Sequence, residues 1–252
     1  MRRFLLPVSI AVSLAGTACA GDDVDAPPSA TAPSITTSPE PSPTDVASPT
    51  LDPTPTPTTI PDGVPATFDQ DVAGRDLPVE ELVPPGDEVT DAVRSGPTDV
   101  EVVVIVFATP GGDPFSQARG FVVWRREAGG EPPWRAVYGL AHGRRDGVLA
   151  ISADVTDLTG DGSADALIRE ETGGSGACAT YRVVDPSVGT ALWKRSVCDA
   201  EIQPSPDPAG LYEVARIYGP DDPHCCPSAI RERVLTWNGT RFIVASEETT
   251  DL

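Results

Sequence analysis

The chain has 252 residues, with 38 Asp+Glu against 18 Lys+Arg for a net charge of −20, 28 Pro and five Cys. The length suits one ordinary domain plus tails. The acid excess argues against a nucleic-acid partner, which needs a basic face to neutralise phosphates, and against docking on anionic membranes by charge. A hydrophobic fraction of 39% is low for a wholly folded chain, so part of the sequence is expected to stay outside any core.

Arg2 and Arg3 precede an apolar run over residues 4–18, interrupted by Pro7 and small polar residues. The run is too short to span a bilayer, which takes about 20 apolar residues. A positive start, a short apolar centre and small residues after it read as a secretory signal over residues 1–20. Two processing routes are open. Ala18-Cys19-Ala20 is an A-x-A-like site that places cleavage before Gly21 and gives a secreted protein. Leu14-Ala15-Gly16-Thr17-Ala18-Cys19 resembles a bacterial lipoprotein signal, although Gly16 stands where Leu is usual. In such signals cleavage precedes the Cys and its sulfur is acylated. That resemblance implies an exported protein held on the outer face of the cell membrane by an acyl anchor at Cys19, and it is the reading favoured here.

Residues 21–65 hold 12 Pro and 14 Ser+Thr with no Lys or Arg. Such a stretch buries too little apolar surface to offset its ordering entropy. Residues 21–77 are therefore expected to form a disordered Pro/Ser/Thr/Asp-rich tether, extended at about 3 Å per residue. Its use is as a spacer that lifts a domain off the membrane and through a wall layer. Residues 21–98 carry 15 acids and two Arg, residues 99–252 carry 23 acids and 14 bases, which places most of the excess charge in the tether.

The β-domain is assigned to residues 78–252. Residues 79–82 and 88–93 read as short turns or helices. Val100–Ala108 (VEVVVIVFA) is β-branched and nearly continuous, the pattern of a central strand covered on both faces. Residues 120–126 and 134–141 flank Gly129-Gly130 as a hairpin. Further strands are expected at 148–155, 166–169, 179–184, 190–197 and 211–218. A last pair, 230–237 and 240–245, flanks Asn238-Gly239, the strongest short-range hairpin signal. About ten strands at spacings of roughly 8–12 residues predict an all-β antiparallel meander, propeller-like or a sandwich.

Asp157-Leu158-Thr159-Gly160-Asp161-Gly162-Ser163-Ala164-Asp165 reads D-x-T-x-D-G-x-x-D. Hard oxygen donors at alternate positions of a tight loop suit Ca²⁺. It is not an EF-hand, because Ile168 occupies loop position 12 and the flanks read as strands. The loop resembles the calcium loop of FG-GAP/VCBS-type repeats, as in integrin α-subunit propellers. That resemblance implies a structural Ca²⁺ held by the side chains of Asp157, Thr159, Asp161 and Asp165 and the carbonyl of Ser163. The segments Gly173-Gly174-Ser175-Gly176-Ala177-Cys178, Cys225-Cys226-Pro227-Ser228 and Trp237-Asn238-Gly239 are similar to those of actinobacterial secreted lipoproteins. No chemistry follows from that second resemblance.

Besides Cys19 there are four cysteines, Cys178, Cys198, Cys225 and Cys226. An even number in an exported domain suggests two disulfides. Pairing Cys178 with Cys198 across a strand–turn–strand segment is preferred slightly over the crossed pairings. It leaves Cys225 and Cys226 as a vicinal bond or a free pair. Soft-metal or redox chemistry at His224-Cys225-Cys226 lacks the usual C-x₂-C zinc spacing. No catalytic group is assigned. His142 reads as a loop residue at a strand end, and adjacent Glu170 and Glu171 on a strand point to opposite faces.

Together these readings predict an exported cell-envelope protein with a non-catalytic binding module. The expected partners are the membrane, through Cys19, and a cell-wall or surface protein or glycan. The competing expectation is a secreted or envelope hydrolase, which requires His142 or His224 set against a carboxylate and a hydroxyl in a deep pocket.

Overall fold

The computed structural model describes residues 60–95, 100–111, 113–173, 177–205, 209–220, 222–223 and 225–252. The signal segment, Cys19 and residues 21–59 of the expected tether lie outside the described residues. The fold is all-β, built from three antiparallel sheets.

Sheet A contains β2 (Glu88–Arg94), β3 (Val100–Ala108), β4 (Arg119–Glu127) and β5 (Trp134–His142) in sequence order, with the two-residue β1 (Thr67–Phe68) added outside β5. Sheet B is β6 (Ala150–Thr156), β7 (Asp165–Gly173), β8 (Cys178–Asp185) and β9 (Thr190–Val197). Sheet C is β10 (Ala200–Pro204), β11 (Leu211–Ile217), β12 (Ala229–Trp237) and β13 (Phe242–Asp251). Sheets B and C, and sheet A without β1, are each an up-and-down meander of four strands, the connectivity of a propeller blade. Strands that follow one another in each sheet pair antiparallel, through connections that range from tight turns to the longer loops before β4 and β12.

Side-chain alternation decides how the sheets stack. On sheet A, Val103, Ile105, Phe107, Val122, Trp124 and Trp134 face Leu77, Val79, Leu82 and Val83 of the preceding segment. The opposite set, Val102, Val104, Val106, Phe121, Val123 and Tyr138, meets Ala166, Ile168 and Val184 of sheet B. The remaining face of sheet B presents Leu167, Ala179, Tyr181 and Val183 to Ile202, Leu211, Leu235 and Phe242 of sheet C. Four layers follow one another in chain order: the segment before β2, then A, B and C. This explains the composition of β3. Both of its faces are covered, so its residues from Glu101 to Ala108 are buried and all but one are apolar.

Four features differ from the sequence expectation. Among the described residues there are thirteen strands rather than about ten. Residues 88–93, read as a turn or helix, form strand β2, because pairing with β3 overrides the weak local pattern. Strand β10 was missing from the expected set, whereas Val79–Glu81 is a single 3₁₀ turn, within the expected short turn or helix. The packed part also begins near residue 60 rather than 78. Val64, Phe68 and Val72 pack on sheet A. Residues 71–74 are clipped to it by polar contacts. Arg126 Nη2 donates to Asp71 at 2.7 Å, Trp134 Nε1 to the Val72 carbonyl at 3.0 Å and Arg94 Nε to the Gly74 carbonyl at 2.9 Å. The Gly74 amide donates to buried Glu101, and a Cβ at Gly74 would lie 2.9 Å from that carboxylate. Residues 60–252 then hold 32 Asp+Glu against 16 Lys+Arg. Most of the chain's acid excess therefore belongs to the packed part, not to the tether.

Candidate functional site

The acidic loop joins β6 to β7, and its two ends pair through Thr156 and Asp165. Leu158 is fully buried beneath it, in the core between sheets B and C. Asp157 spans the bend. One of its oxygens accepts from the Gly160 amide at 2.6 Å and the other from Gly162 at 2.9 Å. Gly160 and Gly162 have φ of +77° and +87°, a region that residues with a Cβ avoid. Asp161 accepts from the Ser163 amide at 2.7 Å. Asp165 is only 2% exposed and takes bonds from the Leu158 and Thr159 amides and the Thr159 hydroxyl on one oxygen. Burial pushes its carboxyl up to about 6, against the pull of those three donors.

The donor chemistry of this loop suits a hard cation, but its described geometry does not form a cage. Both oxygens of Asp157 and one of Asp165 are occupied by backbone N–H groups. Among the described residues no group of three or more His, Cys, Asp or Glu is arranged to hold a metal. What the loop achieves as it stands is mechanical: three carboxylates replace missing backbone acceptors and fix a nine-residue turn.

Beside the loop lies a cleft of 530 Å³ between it and one edge of sheet A. Its lining includes Ser95, Arg125, Thr156, Asp157, Ser163 and Ser187. Arg125 pairs with Glu127 at 2.7 Å and keeps a quarter of its side chain exposed. The cleft thus offers hydroxyls and one guanidinium against the apolar side chains of Val100, Val102 and Val155. Such a lining can hydrogen-bond a polar ligand. It holds no pair of titratable groups placed to exchange protons.

The polar constellation that sequence reasoning missed lies elsewhere, between sheets A and B. His142 ends β5 and Glu170 sits on β7. His142 Nε2 and Glu170 Oε1 are 2.5 Å apart, and Arg182 Nε on β8 donates to Glu170 Oε2 at 2.8 Å. Glu170 is 2% exposed. Its burial would raise the carboxyl, but the His142 bond and the Arg182 charge outweigh that and hold it below the ordinary carboxylate range. Tyr138, two strand positions before Leu140 and on the same face, brings a buried hydroxyl into this neighbourhood. Neither His142 nor Glu170 lines the cleft. No short-range signal exposes this contact, because its partners are 28 residues apart and belong to different sheets. Alternation along β7 does separate the two glutamates. Glu170 turns into the seam, while Glu171 pairs with Arg169 on the other face at 3.0 Å.

Cys178 and Cys198 form a disulfide that ties β8 to the end of β9. Cys225 and Cys226 are exposed free thiols in the turn between β11 and β12. His224 lies outside the described residues. No described helix is long and apolar enough to cross a membrane.

The fold and these sites define a three-sheet, all-β domain with a polar cleft and a self-bonded acidic loop. Neither a family model, nor a curated protein, nor a solved structure gives a significant match to the chain.

Proposed function

We propose that the chain is an exported cell-envelope protein, lipid-anchored through Cys19, that presents a non-catalytic binding module on an acidic tether. The cleft between sheet A and the 157–165 loop is its ligand site, and a cell-wall or surface glycan is the ligand class. The observation that carries this reading is the cleft lining: four hydroxyl-bearing residues and the Arg125 guanidinium beside apolar walls. That mixture suits a polyhydroxylated ligand, which needs hydrogen-bond partners on its edges and apolar contact on its faces.

The test is co-sedimentation of the mature protein with purified insoluble cell wall. Arg125→Ala and Thr156→Val are each expected to weaken retention about tenfold, or about 1.4 kcal/mol. Undiminished retention in both variants would remove the cleft from the proposal. Release of soluble sugar or peptide fragments would replace binding by hydrolysis. Mass spectrometry of the mature N-terminus tests the anchor separately: a diacylglyceryl Cys19 supports it, and an unmodified start at Gly21 overturns it.

Calcium forms its own part of the proposal, resting on the oxygen donors of Asp157, Thr159, Asp161, Ser163 and Asp165. The expected result is a calcium-dependent rise in melting temperature that Asp161→Ala abolishes. Identical behaviour of the two proteins would leave the loop as a carboxylate-pinned turn.

A further inference from the structure

We propose that Cys225 and Cys226 form a two-electron thiol–disulfide site that exchanges with disulfide-bearing partners, small-molecule or protein, at the surface of sheet C. Three observations carry it. The two sulfurs are 3.0 Å apart. Both residues are exposed, so a partner's disulfide can reach them. The other two cysteines of the domain are already joined to each other, which leaves this pair with itself as its intramolecular partner among the described residues.

The turn that carries the pair is held at several points. The Ser228 amide donates to the Ile217 carbonyl at 2.9 Å, closing the base of the loop. Asp222 accepts from the Gly219 amide at 2.6 Å, and the Cys226 amide donates to the Pro223 carbonyl at 2.9 Å. The thiols therefore meet without a search through loop conformations, and the second step of the exchange is intramolecular.

In the first step one cysteine thiolate attacks a sulfur of the partner disulfide. A protein–partner S–S bond forms, the partner's S–S bond breaks, and half of the partner leaves as a thiolate that takes up a proton. In the second step the neighbouring cysteine attacks its partner-bound neighbour's sulfur. The Cys225–Cys226 bond forms, and the remaining half leaves as the second thiol. Two cysteine thiols and one disulfide are converted into one vicinal disulfide and two thiols. The protein is oxidised by two electrons and the partner reduced by two. Cys226 is pushed up, by the hydrogen bond it shares with Cys225 first and by the nearby charges after it. Both causes that lead this shift come from the Cys225 thiol, so it is relieved once Cys225 is bound to the partner, and Cys226 then attacks as the thiolate that the second step requires.

The test uses the full chain, mildly reduced and then incubated with oxidised glutathione, followed by acid quenching, alkylation and mapping of the peptide that contains both residues. The expected product is lighter than the reduced peptide by two hydrogens, carries no glutathione and is no longer alkylated, and dithiothreitol restores it. Cys225→Ser and Cys226→Ser should each trap one glutathione as a mixed disulfide that persists at least about tenfold longer than in the wild type, since the resolving thiol is gone. The substituted positions are exposed, so both variants should melt with the wild type. The proposal is overturned if the wild-type peptide keeps two alkylatable thiols, accumulates stable glutathione adducts, or is found joined to Cys178 or Cys198.

Discussion

The two seams between the sheets each bury one glutamate, and they solve the same problem differently. Between sheets A and B, Glu170 has one partner per oxygen, His142 at 2.5 Å and Arg182 at 2.8 Å. Arg182 is itself mostly buried, and the surrounding side chains are Val, Phe, Ala and Ile. Between sheets B and C, Glu213 is 1% exposed and faces three arginines. Arg195 grips it through both oxygens. Arg231 and Arg233 stand off at 3.8 and 3.9 Å and remain between a fifth and a third exposed. Arg233 also reaches Glu247 on the edge strand β13. The first seam is dry and closed by short, unshared contacts. The second is open at its rim, with its cations shared among several carboxylates. The lesson is that a buried carboxylate specifies a seam by the number of its partners that are themselves out of water, because water screens the rest.

The largest expected effect comes from removing the anion of the dry seam. Glu170→Ala leaves Arg182 buried without a counter-charge and should cost about 3–5 kcal/mol in denaturant unfolding. The double change Glu170→Leu with Arg182→Met should recover most of that loss, since an apolar pair replaces an ionic one. Next is the covalent tie within sheet B, which serves both seams. Cys178→Ser with Cys198→Ser opens a loop with a sequence separation of 20 and should cost about 3 kcal/mol in the chain-entropy picture. Glu213→Ala should cost about 1.5–3 kcal/mol, the range for hydrogen bonds to charged groups, and the loss should shrink as salt is added. If Glu213→Ala proved as costly and as salt-independent as Glu170→Ala, the contrast between dry and open seams would fail. The smallest effect is that of Arg233→Ala, below about 1 kcal/mol, because Arg233 is itself a fifth exposed, stands 3.9 Å from Glu213 and has its closer partner, Glu247, at the exposed rim.

Acid titration sharpens the same contrast. The Glu170 carboxyl is held below its ordinary value, so its contribution is present above the unfolded carboxylate range and is lost as pH falls through the depressed folded value. Asp165 runs the other way. Its carboxyl is raised to about 6, so the stability it lends is present below its unfolded value near 3.8 and is lost as pH rises through about 6. In calcium-free buffer, stability followed by chemical denaturation should therefore decline between about pH 4 and pH 6.5, and Asp165→Asn should flatten that slope. A slope unchanged in the variant would place the titration on another group.

The fold was legible where burial left a pattern along the chain. Val100–Ala108 announces a doubly covered strand by its uninterrupted apolar run, and the structure sets β3 at those bounds. Thr190–Val197 likewise matches its expected limits. Gly129-Gly130 and Asn238-Gly239 mark two hairpins because turn conformations impose residue types. Strand β10 was overlooked because Ala200–Pro204, although it alternates apolar and polar residues, is only five residues long, holds one fully buried side chain, Ile202, and ends on a proline. Strand β2 carries Glu, Thr and Asp on a half-exposed edge and becomes a strand only through β3. The acidic loop was legible as a tight Asp/Gly turn. That its carboxylates bond to backbone amides was not, because spacing fixes which atoms are near one another and not which donors they choose. The His142–Glu170 contact is a product of sheet stacking, which no local pattern encodes.

The stacking order has a consequence for how the domain is made. The segment from residue 60 touches sheet A, A touches B, and B touches C, so the chain visits each layer once and in the order of its synthesis. As it emerges amino end first, every hairpin can zip from residues already delivered. Each seam then has to wait for only one later sheet. No early strand is left open for a partner made at the very end. The cost falls on the unfinished edge, since at every stage the newest sheet shows an uncovered apolar face. In the finished molecule that role passes to sheet C, whose last strand is exposed at nine of its ten positions. Its acidic residues, Glu247, Glu248 and Asp251 among them, lie on the edge strand of sheet C and work as gatekeepers that discourage a second chain from pairing with that edge.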